Sequence, residues 1–280
     1  MRKRAILTLL ETPCVRLAIL ILLCGLLAPV SAQDILPPSG ARVVGNGPKG
    51  VLLQWPGSAE EHFFVQVYTE GFPRFDEEVK GNTLSLPLDP GLSYWWRVTR
   101  KKGHAFEEVV PNRLFELVKE PEFVLTGKDG SIGSPGLPGE PPQSVAVTLS
   151  PVGSYTKIFI SVVPSNRIFY LAPGSRPFLV GARGGKGGDG YPGRRSTSYY
   201  YDPDKEPLVV SARDGGDGGN GGPGGSITVV SNGLKVLDFL VLDVEGGTGG
   251  EGDAGTSESE PGENGRPGRN GCVSIRERAR

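Results

Sequence analysis

The chain has few of the side chains on which metal binding and nucleophilic catalysis depend. Its 280 residues include two His, three Cys and one Met. His62 and His104 are expected in surface loops, and no other His exists to complete a multi-His or His–Cys metal set. Neither His accompanies a nucleophile motif such as G-x-S-x-G. We therefore predict no catalytic residue, no metal and no cofactor.

The chain also lacks a charge excess and a helical pattern. Its formal net charge is −1 at pH 7, whereas a general nucleic-acid-binding protein needs a basic surface that replaces counterions. No segment repeats its apolar residues at the 3.6-residue spacing of an amphipathic helix. The sequence therefore argues against a nucleic-acid partner and predicts an all-β protein.

The N-terminal residues have the pattern of an export signal. Basic residues precede an apolar run at residues 17–28, which is shorter than the roughly 20 residues of a membrane-spanning helix. Small residues then lead to Ala32, so we predict a signal peptide at residues 1–32, cleavage after Ala32, and export to the periplasm or cell surface. An uncleaved N-terminal anchor would be the only membrane contact. A lipid anchor on Cys24 is disfavoured by the bulky Leu23 before it.

Cleavage would leave one cysteine, because Cys14 and Cys24 precede the cleavage site. The exported fold would then have no internal disulfide. Cys272 has two interpretations: a small buried residue of a strand at residues 272–275, or a thiol that bridges two molecules.

Residues 36–119 show short apolar runs at the spacing of an all-β sandwich. Their pattern predicts a domain that folds alone, with strands at residues 50–55, 63–69, 83–88 and 94–99, and a last strand of which 105–110 and 114–118 are parts. Residues 72–80 have no distinctive pattern. Trp95 and Trp96 are adjacent, so they would point to opposite faces of a strand, and one of them should lie outside the core.

The stretch LDPGLSYWWRV at residues 88–98 resembles the L-x-P-G-x-x-Y-x-x-x-V corner of fibronectin type III domains. Trp55 also falls where that family has its core tryptophan. The resemblance covers residues 36–119 and implies a fibronectin type III-like β-sandwich. It further implies that the Tyr94 hydroxyl bonds to nearby backbone while its ring packs at the sandwich edge.

Glycine is concentrated in the second half, which has 33 of the 43 glycines after residue 120. Five blocks place glycine at every third residue: 127–139, 181–193, 215–225, 246–255 and 262–271. Three residues is the repeat of the polyproline-II conformation. With glycine at every third position, one edge of such a rod has no side chains, so another backbone can approach it. Residues 215–225 have two offset glycine series, which clear two edges and predict a rod in the interior of a bundle.

Three structures are compatible with this period: an intrachain polyglycine-II bundle, a collagen-type trimer, and disordered glycine-rich loops. Apolar segments between the blocks predict strands and favour the bundle. We expect a collagen-like Gly/Pro linker or rod at residues 120–142, a glycine-rich β domain at 143–276, and a tail at 277–280. In a bundle, Gly219→Val should be disruptive and Asp217→Val mild.

The pattern FYLAPG at residues 169–174, followed by FLVGA at 178–182 and a glycine run, resembles glycine-rich domains of exported and phage-tail adhesive proteins. The resemblance extends over residues 165–271 and implies polyglycine-II architecture, with no site residues. Residues 184–192 formally fit a calcium-binding nonapeptide, but no tandem copy follows them.

The insertion at residues 196–206 contains three consecutive tyrosines, Tyr199, Tyr200 and Tyr201. They are the candidate contact with a partner, because tyrosine is favoured at interfaces. The alternative is that their rings cover the rods.

Together these features predict a non-catalytic, monomeric exported envelope protein for surface attachment or envelope structure, with a protein or cell-surface partner that the sequence does not identify. The alternative function is a periplasmic binding or assembly subunit of a larger complex. An enzyme of unknown type ranks third.

Overall fold

The computed structural model describes residues 35–278 except 46, 48, 134, 194–196, 200–207, 211–212 and 257–258. The predicted signal peptide and its cleavage site after Ala32 lie outside the described residues. The described chain is all-β, as the sequence predicts. Its strands are β1 (Ala41–Val44), β2 (Val51–Gln54), β3 (His62–Thr69), β4 (Phe72–Lys80), β5 (Thr83–Leu86), β6 (Ser93–Lys102), β7 (Ala105–Leu117), β8 (Glu122–Thr126), β9 (Val145–Val152), β10 (Tyr155–Val162), β11 (Ser165–Leu171), β12 (Phe178–Arg183), β13 (Thr197–Tyr199), β14 (Leu208–Val210), β15 (Ser226–Asn232), β16 (Leu240–Asp243) and β17 (Cys272–Arg278).

One ten-stranded sheet runs through both halves of the chain, in the order β17-β15-β9-β10-β11-β1-β7-β6-β3-β4. The halves join at β1, which pairs in parallel with β7 on one side and with β11 on the other. Two smaller sheets, β2-β5 and β16-β12-β8, have no strand-to-strand hydrogen bonding to the large sheet in the described part of the chain. The predicted first domain is therefore continuous with the second through one sheet.

The two smaller sheets cover opposite faces of the large one. The first core joins β2 and β5 to the β1-β7-β6-β3-β4 half, and includes Trp55 and Trp96. The second core joins β8, β12 and β16 to the β11-β10-β9-β15 part, and includes Phe178. Neighbouring residues of β1 divide between them, with Val43 in the first core and Val44 in the second. Side chains alternate across a strand, so β1 is the point where the covered face changes.

Aromatic residues of the first half occupy both faces of their sheet. Trp96 is fully buried, whereas Trp95 is half-buried on the opposite face and stacks on Tyr68 at 6.2 Å between ring centroids. The Tyr94 hydroxyl donates to the Asp89 carbonyl and accepts from the Asp89 amide, both at 2.9 Å. These two bonds close the turn before β6.

The first core is completed by residues from the second half. Tyr155, at the start of β10, is 2% exposed in this core, and its hydroxyl donates to the Leu52 carbonyl. Burial raises the pKa of Tyr155 above its usual range. Ala172 belongs to the same core. Residues 36–119 alone would therefore lack part of their own core, which makes independent folding less favourable than the sequence suggests.

The glycine blocks form six extended segments outside the strands. We call them rods 1 to 6: residues 127–133, 136–142, 184–193, 215–225, 245–255 and 260–271. Rods 1, 3 and 5 follow β8, β12 and β16, the strands of the three-stranded sheet. Rods 2, 4 and 6 precede β9, β15 and β17, which belong to the ten-stranded sheet.

The arrangement bears on two expected boundaries. Of the two alternatives for residues 120–142, a linker or a rod, the structure has β8 paired with β12 and then two rods, both bonded to later rods. The expected tail at 277–280 begins inside a strand, because Glu277 and Arg278 pair with Ser231 and Asn232.

The rods form two layers that continue the two sheets. Within each layer, neighbouring rods are parallel: Gly187 donates to Thr248 at 2.8 Å, from rod 3 to rod 5. Between layers they are antiparallel: Gly219 of rod 4 donates to Gly188 of rod 3 at 2.7 Å. In every ladder the donors recur at three-residue steps. Rod 4 bonds to rods 2, 3, 5 and 6, which is the interior position that its two glycine series predict.

Side chains facing the core become smaller where the sheets meet the rods. Along β12 the buried series is Phe178, Val180 and Ala182, and glycine follows at 184. Packed sheets lie about 10 Å apart because side chains fill the gap. Because the side chains become smaller step by step, the two layers come closer until their backbones are in contact. There the Gly225 amide donates to the Ala182 carbonyl at 2.9 Å.

One residue of each triplet faces outward, where a backbone amide would find no acceptor on a neighbouring rod. Rods 2, 3, 4 and 6 have prolines there, which lack an N–H: Pro138, Pro141, Pro192, Pro223, Pro261 and Pro267. Elsewhere an Asp or Asn side chain accepts a bond from the adjacent rod. The Asp217 carboxylate accepts the Glu263 amide at 2.8 Å, and Asn220 accepts the Arg266 amide at 2.9 Å. Asp217→Val would therefore remove one hydrogen-bond acceptor, a small effect beside that expected of Gly219→Val.

Candidate functional site

The predicted contact residues fall mostly outside the described part of the chain. Tyr199 ends β13, which pairs with β14, and Tyr200 and Tyr201 are not among the described residues. Of the residues that flank the insertion, Gly193 ends rod 3 and Gly215 begins rod 4, at the end of the bundle away from the three-stranded and ten-stranded sheets.

Cys272 is exposed, so its interpretation as a small buried residue is wrong. The reason is the position of β17, which is the last strand of the ten-stranded sheet and pairs only with β15. All seven residues of β17 are exposed. The three-stranded sheet that covers the second core does not bury this edge.

A cleft with a volume of about 650 Å³ lies on the uncovered face of β3, β4, β6 and β7. It is lined by Glu61, His62, Phe63, Phe64, Glu78, Arg100, Lys101, Gly103 and Phe106. His62 is the first residue of β3 rather than a loop residue, and its Nδ1 lies 3.1 Å from a Glu78 carboxylate oxygen. His104 lies in the turn between β6 and β7, as expected for a loop residue.

A charged network holds one side of the cleft. Arg100 donates to Glu61 at 2.7 Å and to Glu107 at 2.9 Å. The bond from Arg100 lowers the pKa of Glu107, while the backbone amide of Ser58 is the main cause of the lowered pKa of Glu61. The Glu107 bond in turn raises the pKa of Arg100. These three groups remain charged at neutral pH and hold one another in place, so they form a fixed polar wall rather than an acid–base pair.

Two aromatic rings form the apolar part of the cleft. Phe64 is 38% exposed and Phe106 is 66% exposed. The sequence analysis did not predict that either ring would be exposed. The exposure of Phe64 could have been predicted, because adjacent residues of a strand face opposite sides and Phe63–Phe64 is such a pair, like Trp95–Trp96. Exposed rings beside fixed charges suit the docking of a side chain or an extended segment.

Among the described residues, no group of three or more His, Cys, Asp or Glu could hold a metal ion. No helix in the described ranges is both long enough and apolar enough to cross a membrane. The chain matches no family model, no curated protein and no solved structure.

Proposed function

We propose that the chain is a non-catalytic exported envelope protein in which a fibronectin type III-like sandwich carries a polyglycine-II bundle. The bundle would serve surface attachment or envelope structure. The sandwich is supported by the pairing of β2 with β5 opposite the β7-β6-β3-β4 strands, and by the position of Trp55 in the core. The two hydrogen bonds of the Tyr94 hydroxyl to Asp89 support it further.

The observation that carries the proposal is the three-residue ladder of bonds between rods. In rod 3, glycines 184, 187 and 190 donate to rod 5, while glycines 185 and 188 donate to rod 2 and Tyr191 donates to Gly133 at the end of rod 1. A segment with no internal hydrogen bonds and a bond to its neighbours at every third residue is what polyglycine-II requires. The alternatives of a trimer and of disordered loops do not predict these bonds within one chain.

A bundle of this kind is suited to mechanical and attachment roles. At about 3.1 Å per residue, an eleven-residue rod is about 34 Å long. Each rod is bonded along its length to at least two others, so the bundle is a stiff extension of both sheets. Its glycines face inward, and what it presents to its surroundings is a sparse, regular array of side chains.

The cleft on the uncovered face supports a second candidate, a periplasmic subunit that docks onto a larger complex. Phe64 and Phe106 provide exposed apolar area, and the ion pairs of Arg100 provide fixed charge. Aromatic side chains and arginine are enriched at protein interfaces.

Labelling of Cys272 with a membrane-impermeant maleimide distinguishes the two candidates. The predicted cleavage removes the other two cysteines, and Cys272 is exposed. If the protein is displayed at the cell surface, intact cells should label it. Labelling only after the outer membrane is permeabilised would favour the periplasmic subunit. Labelling only after complete lysis would contradict export, and Cys272→Ser gives the background signal.

A further inference from the structure

The charged side chains of rod 6 run from acidic to basic, so that the line is electrostatically complementary to the same line in the reverse direction. Glu260, Glu263, Arg266 and Arg269 recur every third residue, so the line reads two acids and then two bases. All four are exposed. Rod 6 is an end rod that bonds only to rods 4 and 5, so one side of it has no neighbouring rod among the described residues.

The four side chains occupy equivalent positions in the bundle. Their carbonyls accept, in order, from Gly215, Gly218, Gly221 and Gly224 of rod 4, at 2.8 to 2.9 Å. The backbone is therefore held identically at each of them. Three residues of polyproline-II rise about 9.3 Å, so the charges are evenly spaced along a line of about 28 Å.

None of the four charges forms an ion pair with another described residue. The acidic half of the line is reinforced by Asp214, which precedes rod 4, and by Asp217 of rod 4; their carboxylates accept the amides of Glu260 and Glu263. The basic half is flanked by the uncharged Asn220 and Pro223. One end of this face is thus acidic and the other basic.

We propose that this line is an interaction surface for a second copy of the chain. In an antiparallel arrangement about a two-fold axis, Glu260 meets Arg269 of the other copy and Glu263 meets Arg266. A two-fold interface repeats each contact, which gives four attractive pairs. A parallel arrangement would instead set like charges against each other.

The other exposed edge of this region, strand β17, is less suited to a second copy. An unpaired strand edge invites pairing, and Val273 and Ile275 are 37% and 41% exposed there. Arg276, Glu277 and Arg278 interrupt it with charge, however, and no register pairs all three favourably. We therefore assign the contact to rod 6.

The association should be weak and sensitive to salt, because each exposed ion pair contributes little by itself. The folded monomer remains the basic unit, and the contact forms between folded copies. It should be measurable at about 0.01 M ionic strength, where the Debye length is about 30 Å, and absent at about 1 M, where it is about 3 Å. Copies held close together on one surface would favour it further.

The contact is tested by reversing the charges of one half of the line at a time, the half-line Glu260 and Glu263 or the half-line Arg266 and Arg269. Self-association of the full mature chain is measured by sedimentation equilibrium at low salt. Arg266→Glu with Arg269→Glu, or Glu260→Arg with Glu263→Arg, should weaken self-association at least about tenfold, because four attractive pairs become repulsive. Mixing the two variants should restore association as a mixed dimer. Reversing all four charges should restore self-association, and circular dichroism shows whether each variant is folded.

Ile275→Lys on β17 is the matched control and should leave association unchanged. A wild-type chain that stays monomeric at low salt would overturn the proposal. So would association that survives both half-line reversals or is abolished by Ile275→Lys, since either result would place the contact elsewhere.

Discussion

Gly219→Val is expected to unfold the second half of the molecule, or to destabilise it by at least about 4 kcal/mol, beyond the usual cost of overpacking. A Cβ at residue 219 would lie 2.6 Å from the Leu137 carbonyl carbon, which is backbone of rod 2 and cannot turn aside as a side chain can. To admit it, rods 2 and 4, which are neighbours in one layer, must separate. The bonds that join them, from Gly136 to Asp217 at 2.8 Å and from Gly139 to Asn220 at 2.9 Å, would then be lost. Calorimetric unfolding of the full chain measures the effect.

Position 217, two residues away, provides the controls. Asp217→Asn keeps the side-chain oxygen that accepts the Glu263 amide, so stability should be nearly unchanged. Asp217→Val removes that acceptor and should cost about 1 kcal/mol, the usual value of one hydrogen bond. Equal effects of Val at positions 217 and 219 would contradict the close approach of rods 2 and 4.

Trp55→Ala is expected to lower the free energy of unfolding by about 3–5 kcal/mol, the range for loss of a buried tryptophan. Trp55 is fully buried and packs edge-on against Phe63, with ring centroids 5.8 Å apart. The full chain should be used, because Tyr155 and Ala172 complete this core. Chemical denaturation followed by the fluorescence of Trp95 and Trp96 reports on this half alone.

Trp55→Phe separates packing from polarity. The indole N–H has no hydrogen-bond partner among the described residues, so phenylalanine loses volume but no hydrogen bond, and its effect should be much smaller. An unchanged denaturation midpoint in Trp55→Ala would mean that the first core does not close around this ring.

The strands could be predicted from the sequence because alternation of apolar residues is local. Trp95 and Trp96 lie on opposite faces of β6, as adjacent residues of a strand must. The ten-stranded sheet could not be predicted, since it depends on β1 pairing with β11 across more than 100 residues. Strand β4 was equally unpredictable, because an edge strand has little buried surface to impose a pattern.

Some features of the rods could likewise be predicted from the sequence, and others could not. The glycine period predicts both their existence and the interior position of rod 4. Rod 3 and rod 5 also have paired glycines, at 184–185, 187–188, 246–247 and 249–250, and this signal was missed. Among the described residues, rods 3 and 5 bond to four and three other rods, whereas rods 1 and 6, which have single glycines, bond to two. Rod 2 bonds to three rods with single glycines, so paired glycines do not mark every rod with three neighbours. The exposure of Cys272 and the bond of Asp217 depend on which rods are adjacent, and the sequence alone does not determine that order.

Amide hydrogen exchange in rod 4, resolved by NMR, tests the bundle most directly. An intrachain bundle predicts slow exchange at two of every three amides, at any protein concentration: Gly215, Gly216, Gly218, Gly219, Gly221 and Gly222. The amides of Asp217 and Asn220 have no acceptor in the described part of the chain and should exchange quickly. A collagen-type trimer would instead protect one amide in three, with protection lost on dilution. Uniformly fast exchange across residues 215–225 would contradict the account, because no neighbouring rod would then be bonded there.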